Sequence, residues 1–167
     1  MADSEVQEYD APIDIGTFQF SGFKSEKDMC NYIEDNIELF CVDVTGEKLR
    51  SYKREYTITG RQFFAHKTAC VDFLIVTESG KRILVEVKNP KQIHSEMIRS
   101  VSQLLAYGAI ADMYTPVDRL ILATSNTCEA VQLMICKYEL PIEVVLLNRD
   151  IMATWDREWA RQWQDQQ

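Results

Sequence analysis

Three charged side chains, Asp72, Glu86 and Lys88, stand inside two apolar runs of the stretch 71–88. Branched and aromatic residues continue through both runs without alternation, which is typical of strands buried on both faces. A charge in such a strand costs several kcal/mol unless it is paired or binds a metal. Two carboxylates and an ammonium therefore indicate a hard oxygen-ligand site for Mg²⁺ or Mn²⁺, completed by waters and a substrate phosphate. Lys88 is then placed to hold or help deprotonate an attacking water.

The turn between the two runs decides whether these side chains meet. A two-residue loop would place Asp72 and Glu86 on opposite faces of the hairpin. A three-residue loop over 78–80, with Gly80 at positive φ, would set Asp72 directly across from Glu86. Directly opposed residues share a face, with Cβ atoms roughly 4.5–5.5 Å apart. We predict the three-residue loop; the alternative is a surface hairpin with one ordinary Lys–Glu ion pair.

The hairpin motif has a known counterpart. Asp72, a hairpin and then Glu86-Val87-Lys88 resembles the core of the PD-(D/E)xK nuclease superfamily, with Val71 where the family usually has proline. The resemblance implies that Asp72, Glu86 and the backbone carbonyl of Val87 ligate one or two Mg²⁺ or Mn²⁺ ions. It also implies hydrolysis of DNA phosphodiester bonds that leaves 5′-phosphates, with Lys88 beside the attacking water. Some superfamily members keep the fold as binding or assembly modules, so a catalytically silent module is the alternative.

A first helix is predicted over 25–40, with Ser25 as its cap and acidic residues in its first turn. Its start, Ser25-Glu26-Lys27-Asp28, is similar to the first helix of NucS-type endonuclease domains. There a glutamate often joins the metal shell, and Glu26 matches it. Glu34, further along the helix, is the other candidate. Glu26 can equally serve only to cap the helix.

A second amphipathic helix is predicted over 93–113. Arg99, Gln103 and Tyr107 follow one another at i, i+4 and i+8 and so share one stripe. On its own, such a stripe would simply face solvent. Gln103-x-x-x-Tyr107 resembles an element of RecB-like members of the superfamily, and the corresponding helix of NucS-type domains and type I restriction motor subunits. The resemblance implies that these side chains approach the metal centre or the substrate backbone, with Arg99 contacting DNA.

Charge is distributed unevenly along the chain, whose net charge is −8. Residues 48–107 carry eleven Lys/Arg and five Asp/Glu, a net +6, whereas the rest carries −14. The basic part coincides with the motif, as expected where phosphates bind, although a solvated surface can show the same asymmetry. Lys53, Arg54 and Arg61 are accordingly further candidates for phosphate contacts.

The order of the predicted elements defines the fold class. An acidic tail over 1–14 precedes a single domain over 15–167. We predict an α/β fold, with a restriction-endonuclease-like α-β-β-β-α-β core, a mixed central sheet flanked by helices, and an extra C-terminal strand and helix. Beyond the helices already described, the pattern predicts strands at 15–20, 49–58, both arms of 71–88, 119–124 and 142–147, and a helix at 126–138 capped by Asn126 or Thr127.

Several other classes are disfavoured. No run of 18 apolar residues exists, so we expect no membrane span. Five scattered cysteines without a Cys-x-x-Cys pair argue against zinc ribbons and iron–sulfur clusters and for a reducing, cytoplasmic location. Trp155, Trp159 and Trp163 form an apolar stripe at helical spacing. It either packs on its own domain or contacts a second copy or a protein partner.

Overall fold

The computed structural model describes residues 22–58, 69–91, 93–126 and 128–148. These ranges contain four helices and five strands in the order α1, α2, β1, β2, β3, α3, β4, α4, β5. Their bounds are Glu26–Asp35 (α1), Ile37–Thr45 (α2), Leu49–Ile58 (β1), Ala69–Thr77 (β2), Arg82–Lys88 (β3), Ile93–Asp112 (α3), Arg119–Thr124 (β4), Glu129–Lys137 (α4) and Ile142–Leu146 (β5).

The five strands form one mixed sheet in the order β1-β2-β3-β4-β5. The first three strands pair antiparallel, whereas β3, β4 and β5 pair parallel. Parallel neighbours need a crossover, and α3 and α4 supply the two that this sheet requires. The arrangement confirms the predicted α/β class: α1 to β4 give the α-β-β-β-α-β core, and α4 and β5 extend it.

Helices cover both faces of the sheet. Ile83 and Val85 of β3 pack in one buried cluster with α1 and α2, while Leu84 between them packs in a second cluster with α3 and α4. Every residue from Ile83 to Val87 is buried. This two-sided burial explains why β3 shows no apolar–polar alternation in the sequence.

The β2–β3 hairpin has the predicted three-residue loop. Val76 pairs with Arg82, and the register continues to Phe73 and Val85. The Thr77 N–H donates to the Lys81 carbonyl (3.0 Å), and Gly80 has a φ of 89°. Continuing this register by one residue places Asp72 opposite Glu86. The prediction of the three-residue loop is therefore confirmed.

The first helix differs from the prediction. Ser25 caps it as expected, because its hydroxyl accepts the Asp28 N–H (3.1 Å). The predicted single helix over 25–40 is wrong, because the chain breaks at Asn36 and restarts as α2. Asn36 leaves the helical conformation with a φ of −120°, although its N–H still bonds the Tyr32 carbonyl (3.2 Å), and its side chain donates to the same carbonyl (2.9 Å). The second helix then runs to Thr45, where Gly46 ends it at a φ of 72°.

The start of α4 also differs. Its N-cap is Cys128 rather than Asn126. Asn126 is held in the turn after β4, where its N–H and its carbonyl both bond the Thr124 hydroxyl (3.3 and 2.5 Å). The other predicted cap, Thr127, lies outside the described residues.

Four other predictions also fall outside those residues: the acidic tail, the strand at 15–20, Arg61 and the tryptophan stripe. A partner contact at that stripe therefore stays a prediction. The cytoplasmic location is a separate prediction, which no feature of the described residues tests. Among the helices of the described ranges, none combines the length and apolar character that crossing a membrane requires.

Candidate active site

The predicted site residues meet at the open end of the β2–β3 hairpin. Glu86 is only 3% exposed, and Lys88 and Asp72 are half-buried. The Lys88 ammonium lies 2.9 Å from Glu86 Oε1. The Asp72 carboxylate accepts the Val87 N–H at 2.7 Å, so its side chain bonds the opposite strand where the backbone ladder ends. The structure therefore brings the two acids and the amine together.

Asp72 occupies an unusual position in its strand. Val71 packs with α3 and Phe73 packs with α1 and α2, although alternation would put both on one face. On β1, Glu55 falls in register with Asp72 and has a positive φ of 51°. The two strands thus change face together, with no inserted residue at this point. This local twist turns Asp72 out of regular alternation and towards the end of β3.

Glu26 reaches the same site from the first turn of α1. Its Oε1 lies 3.2 Å from the Lys88 ammonium, which therefore sits between two carboxylates. The alternative glutamate, Glu34, instead pairs with Arg54 and accepts the Tyr52 hydroxyl (3.3 Å). Of the two first-helix candidates, Glu26 is the one beside Lys88.

Electrostatics at the site are dominated by burial. Burial raises the pKa of Glu86 to about 7, Lys88 lowers it in part, and the Asp72 carboxylate raises it again. Burial also raises the pKa of Asp72, although the Val87 N–H and Lys88 oppose the change. Burial alone would lower the pKa of Lys88, but Glu86 and Glu26 raise it overall. Three carboxylates around one ammonium leave the site short of positive charge.

The α3 stripe lines a cleft beside this centre. The cleft has a volume of about 520 Å³, and Arg99 and Gln103 lie on its wall together with Lys88 and Glu26. Gln103 Nε2 donates to the Tyr107 hydroxyl at 2.9 Å. Tyr107 itself packs against the buried α3 cluster. The predicted Gln-x-x-x-Tyr pair is thus one hydrogen-bonded unit whose glutamine faces the cleft.

Two other predicted phosphate contacts lie elsewhere. Lys53 is an exposed residue of the edge strand β1, and Arg54 is paired with Glu34. Neither side chain lines the cleft beside Lys88. Their contact with DNA, like that of Arg61, stays a prediction.

The sequence matches no protein-family model and no curated protein. Its structure is similar to the crystal structure of a repair endonuclease from Pyrococcus abyssi, with a TM-score of 0.53 and 24% identity. The alignment covers 75% of this chain and 48% of that chain. The chain has the fold of that endonuclease.

Two EndoMS structures also match, each with a TM-score of 0.48 and 18% identity. A complex of EndoMS with double-stranded DNA covers 81% of this chain and 49% of that chain, and the apo form covers 76% and 48%. This chain therefore spans about half the length of the structures that it matches.

The donor set at the open end of the hairpin suits a hard cation. Within the four described ranges, no group of three or more His, Cys, Asp and Glu side chains is arranged to hold a metal ion. The predicted Glu26 ligand, in particular, is bonded to Lys88. Mg²⁺, however, usually takes only one or two carboxylates and keeps several waters. The paired acids Asp72 and Glu86, with raised pKa values and too little neighbouring positive charge, fit that requirement.

Two lysines of the cleft beside Lys88 were not among the predicted site residues. Lys24 and Lys91 both line it. Lys24 directly precedes the cap of α1, and Lys91 lies three residues after Lys88 in the link to α3. Their positions next to predicted functional elements were visible in the sequence. Their convergence was not, because 66 residues separate them.

Proposed function

We propose that this chain is a divalent-metal-dependent DNA nuclease that hydrolyses phosphodiester bonds and leaves 5′-phosphates. One observation carries the proposal: at the open end of the hairpin the Asp72 carboxylate accepts the Val87 N–H at 2.7 Å, beside Glu86, whose carboxylate lies 2.9 Å from the Lys88 ammonium. DNA is the proposed substrate class because the P. abyssi structure of the same fold is described as a repair endonuclease.

The metal would be held by Asp72, Glu86 and the carbonyl of Val87, with Glu26 contributing through a water. The cation, Mg²⁺ or Mn²⁺, would supply the positive charge that polarises the phosphate and lowers the pKa of the attacking water. Both acids are anchored for this role, since Asp72 accepts the Val87 N–H and Glu86 is fixed in a buried strand.

Lys88 has a separate role in this proposal. Its pKa is raised, so the side chain is a cation near neutral pH, and it holds a water or offsets the growing negative charge on the phosphate. Glu26 orients the ammonium from the side of α1. Gln103, fixed by Tyr107, and Arg99 lie along the cleft and steer the strand.

Cleavage of supercoiled plasmid with Mg²⁺, with Mn²⁺ and with EDTA tests the proposal. Asp72→Asn is expected to cleave about 10²–10³-fold more slowly than the parent. The matched control is Asp35→Asn, at an exposed residue of α1, and it is expected to keep full activity. Ligation of the products without a kinase would identify their 5′-phosphates. Equal cleavage by the parent and Asp72→Asn, or cleavage that persists in EDTA, would refute the assignment.

A catalytically silent module is the second candidate. The observation that favours it is the engagement of Lys88 by both Glu26 and Glu86, with no third acidic, histidine or cysteine ligand beside the Asp72–Glu86 pair among the described residues. Such a module would bind DNA in EDTA and leave it uncut with either metal. In addition, Mg²⁺ or Mn²⁺ would not raise the melting temperature of such a module. The parent and Asp72→Asn would then respond to metal in the same way.

A further inference from the structure

The cleft beside Lys88 carries more positive charge than the proposed chemistry uses. Four cations line it, including Lys24, Lys91 and Arg99, against the two carboxylates Glu26 and Glu96. This excess lies in a chain whose net charge is −8. A concave surface with charge opposite to that of the whole molecule concentrates the field on an anion.

The carboxylates of the cleft are already engaged, whereas three of its cations are not. Glu26 pairs with the Lys88 ammonium, and the Glu96 carboxylate accepts the backbone N–H of Lys91 at 2.9 Å. No ion pair of the described residues includes the side chain of Lys24, Lys91 or Arg99, and all three are exposed. These side chains are therefore available to an anionic ligand.

The three cations approach the cleft from two sides. Lys24 comes from the segment before α1, and Lys91 and Arg99 come from the link to α3 and from its second turn. The N-terminal turn of α1, with Ser25 and Glu26, borders the same space and adds a favourable dipole for negative charge. The volume of about 520 Å³ lies within the range of small-ligand sites.

We propose that this cleft is a second phosphate site, in which Lys24, Lys91 and Arg99 hold a phosphate of the bound strand other than the one being cleaved. Lys88 lines this cleft and also contacts Glu86. The held phosphate therefore lies next to the Asp72–Glu86 pair and fixes the position of the strand along the cleft. The inference rests on the proposed nuclease function and adds the subsite that sets the position of the cut. A terminal phosphomonoester and an internal phosphodiester present the same chemistry to this site.

Binding of a labelled single-stranded oligonucleotide, measured by fluorescence anisotropy in EDTA, tests the subsite without cleavage. The double variant Lys24→Gln/Lys91→Gln is expected to bind about tenfold more weakly, and its slope of log K against log salt is expected to fall by about 1–2. The matched control is Lys48→Gln/Lys137→Gln, which removes two exposed lysines outside the cleft. It is expected to bind within about twofold of the parent. Arg99 stays unchanged, because it is already expected to contact DNA.

Oligonucleotides with and without a 5′-phosphate separate the two ligand sources. A loss confined to the 5′-phosphorylated strand assigns the site to a terminal phosphate, and an equal loss for both assigns it to an internal one. An equal loss in both double variants, or no loss in either, overturns the subsite. If Asp72→Asn still cleaves the plasmid while Lys24→Gln/Lys91→Gln binds the oligonucleotide more weakly than the parent, the proposed function fails and the phosphate site stands.

Discussion

The two ends of the β2–β3 hairpin place acids beside a lysine in opposite ways. At the turn end, Glu47 binds the Lys81 ammonium and the Ser79 hydroxyl near the surface. At the open end, Glu86 binds Lys88 inside the protein, beside Asp72. The residue types are nearly the same at both ends. What differs is burial and the ratio of acids to amines.

The pKa values record that difference. Hydrogen bonds from Lys81, Ser79 and Thr77 lower the pKa of Glu47 to about 2. Burial raises the pKa of Glu86 to about 7, despite its own lysine. The acid at the turn end is satisfied by its partners, whereas the open end keeps its acids in an environment that disfavours their charge. A position of that kind indicates function rather than stability.

Replacement of either lysine by glutamine is expected to give the largest difference in cleavage rate between the two ends. Lys88→Gln removes the ammonium from the proposed reaction centre and should slow plasmid cleavage about 10²–10³-fold. Lys81→Gln removes the corresponding lysine at the turn and should leave the rate unchanged. Initial rates at saturating Mg²⁺ measure both. Similar rates for the two variants would end the distinction between a working end and a structural end.

The pH dependence of stability should separate Glu86 from Glu47 in the metal-free protein. Because the folded pKa of Glu86 is raised from 4.5 to about 7, its contribution is fully present below about pH 4.5 and is lost as the pH rises through 7. The free energy of unfolding of the parent should therefore fall by on the order of 1–3 kcal/mol between pH 5 and pH 8, and that of Glu86→Gln should not show this fall. Urea denaturation in EDTA at several pH values measures the difference. Parallel stability curves for the two proteins would contradict the raised pKa.

The sequence was sufficient for most of the fold and for the centre of the site. Strands β1 and β4 have the predicted bounds; β1 was predicted from its alternating pattern and β4 from its short apolar run. The Ser-Gly turn allowed two registers, and the structure has the predicted one, with a three-residue loop. The Asn36 break was not predictable from apolar spacing, since the apolar stripe continues across it and only the backbone conformation of one residue departs from the helix, with φ −120° at Asn36.

The surroundings of the site required three-dimensional information. Nothing in the strand pattern indicated that β1 and β2 change face at Glu55 and Asp72, because that change depends on a positive φ at a non-glycine residue. The choice between Glu26 and Glu34 depended on which cation each one meets. Lys24 and Lys91 became visible only where α1 and α3 begin at the same cleft.

The turn itself offers a test of how the register is maintained. Gly80 has a φ of 89° and no atom within 4 Å of an added Cβ, so Gly80→Ala introduces backbone strain without a clash. We expect a loss of about 1–2 kcal/mol in the free energy of unfolding and an unchanged cleavage rate at 25 °C. Denaturant unfolding and plasmid cleavage on the same preparation measure both. A large loss of activity would mean that the strained turn shifts Asp72 relative to Glu86.

Neutralising Glu47 at the turn end should have the smallest effect. Its folded pKa is depressed from 4.5 to about 2, so its stabilising contribution is present above about pH 4.5 and disappears as the pH falls towards 2. Because the ion pair lies near the surface, solvent and salt screen it. Glu47→Gln should therefore lower the melting temperature slightly at pH 7, less at high salt, and not at all near pH 2, with cleavage unaffected. If the difference in melting temperature between the parent and Glu47→Gln changed more with pH than the difference between the parent and Glu86→Gln, the turn end would carry the stronger electrostatic coupling, and burial would not be what distinguishes the two ends.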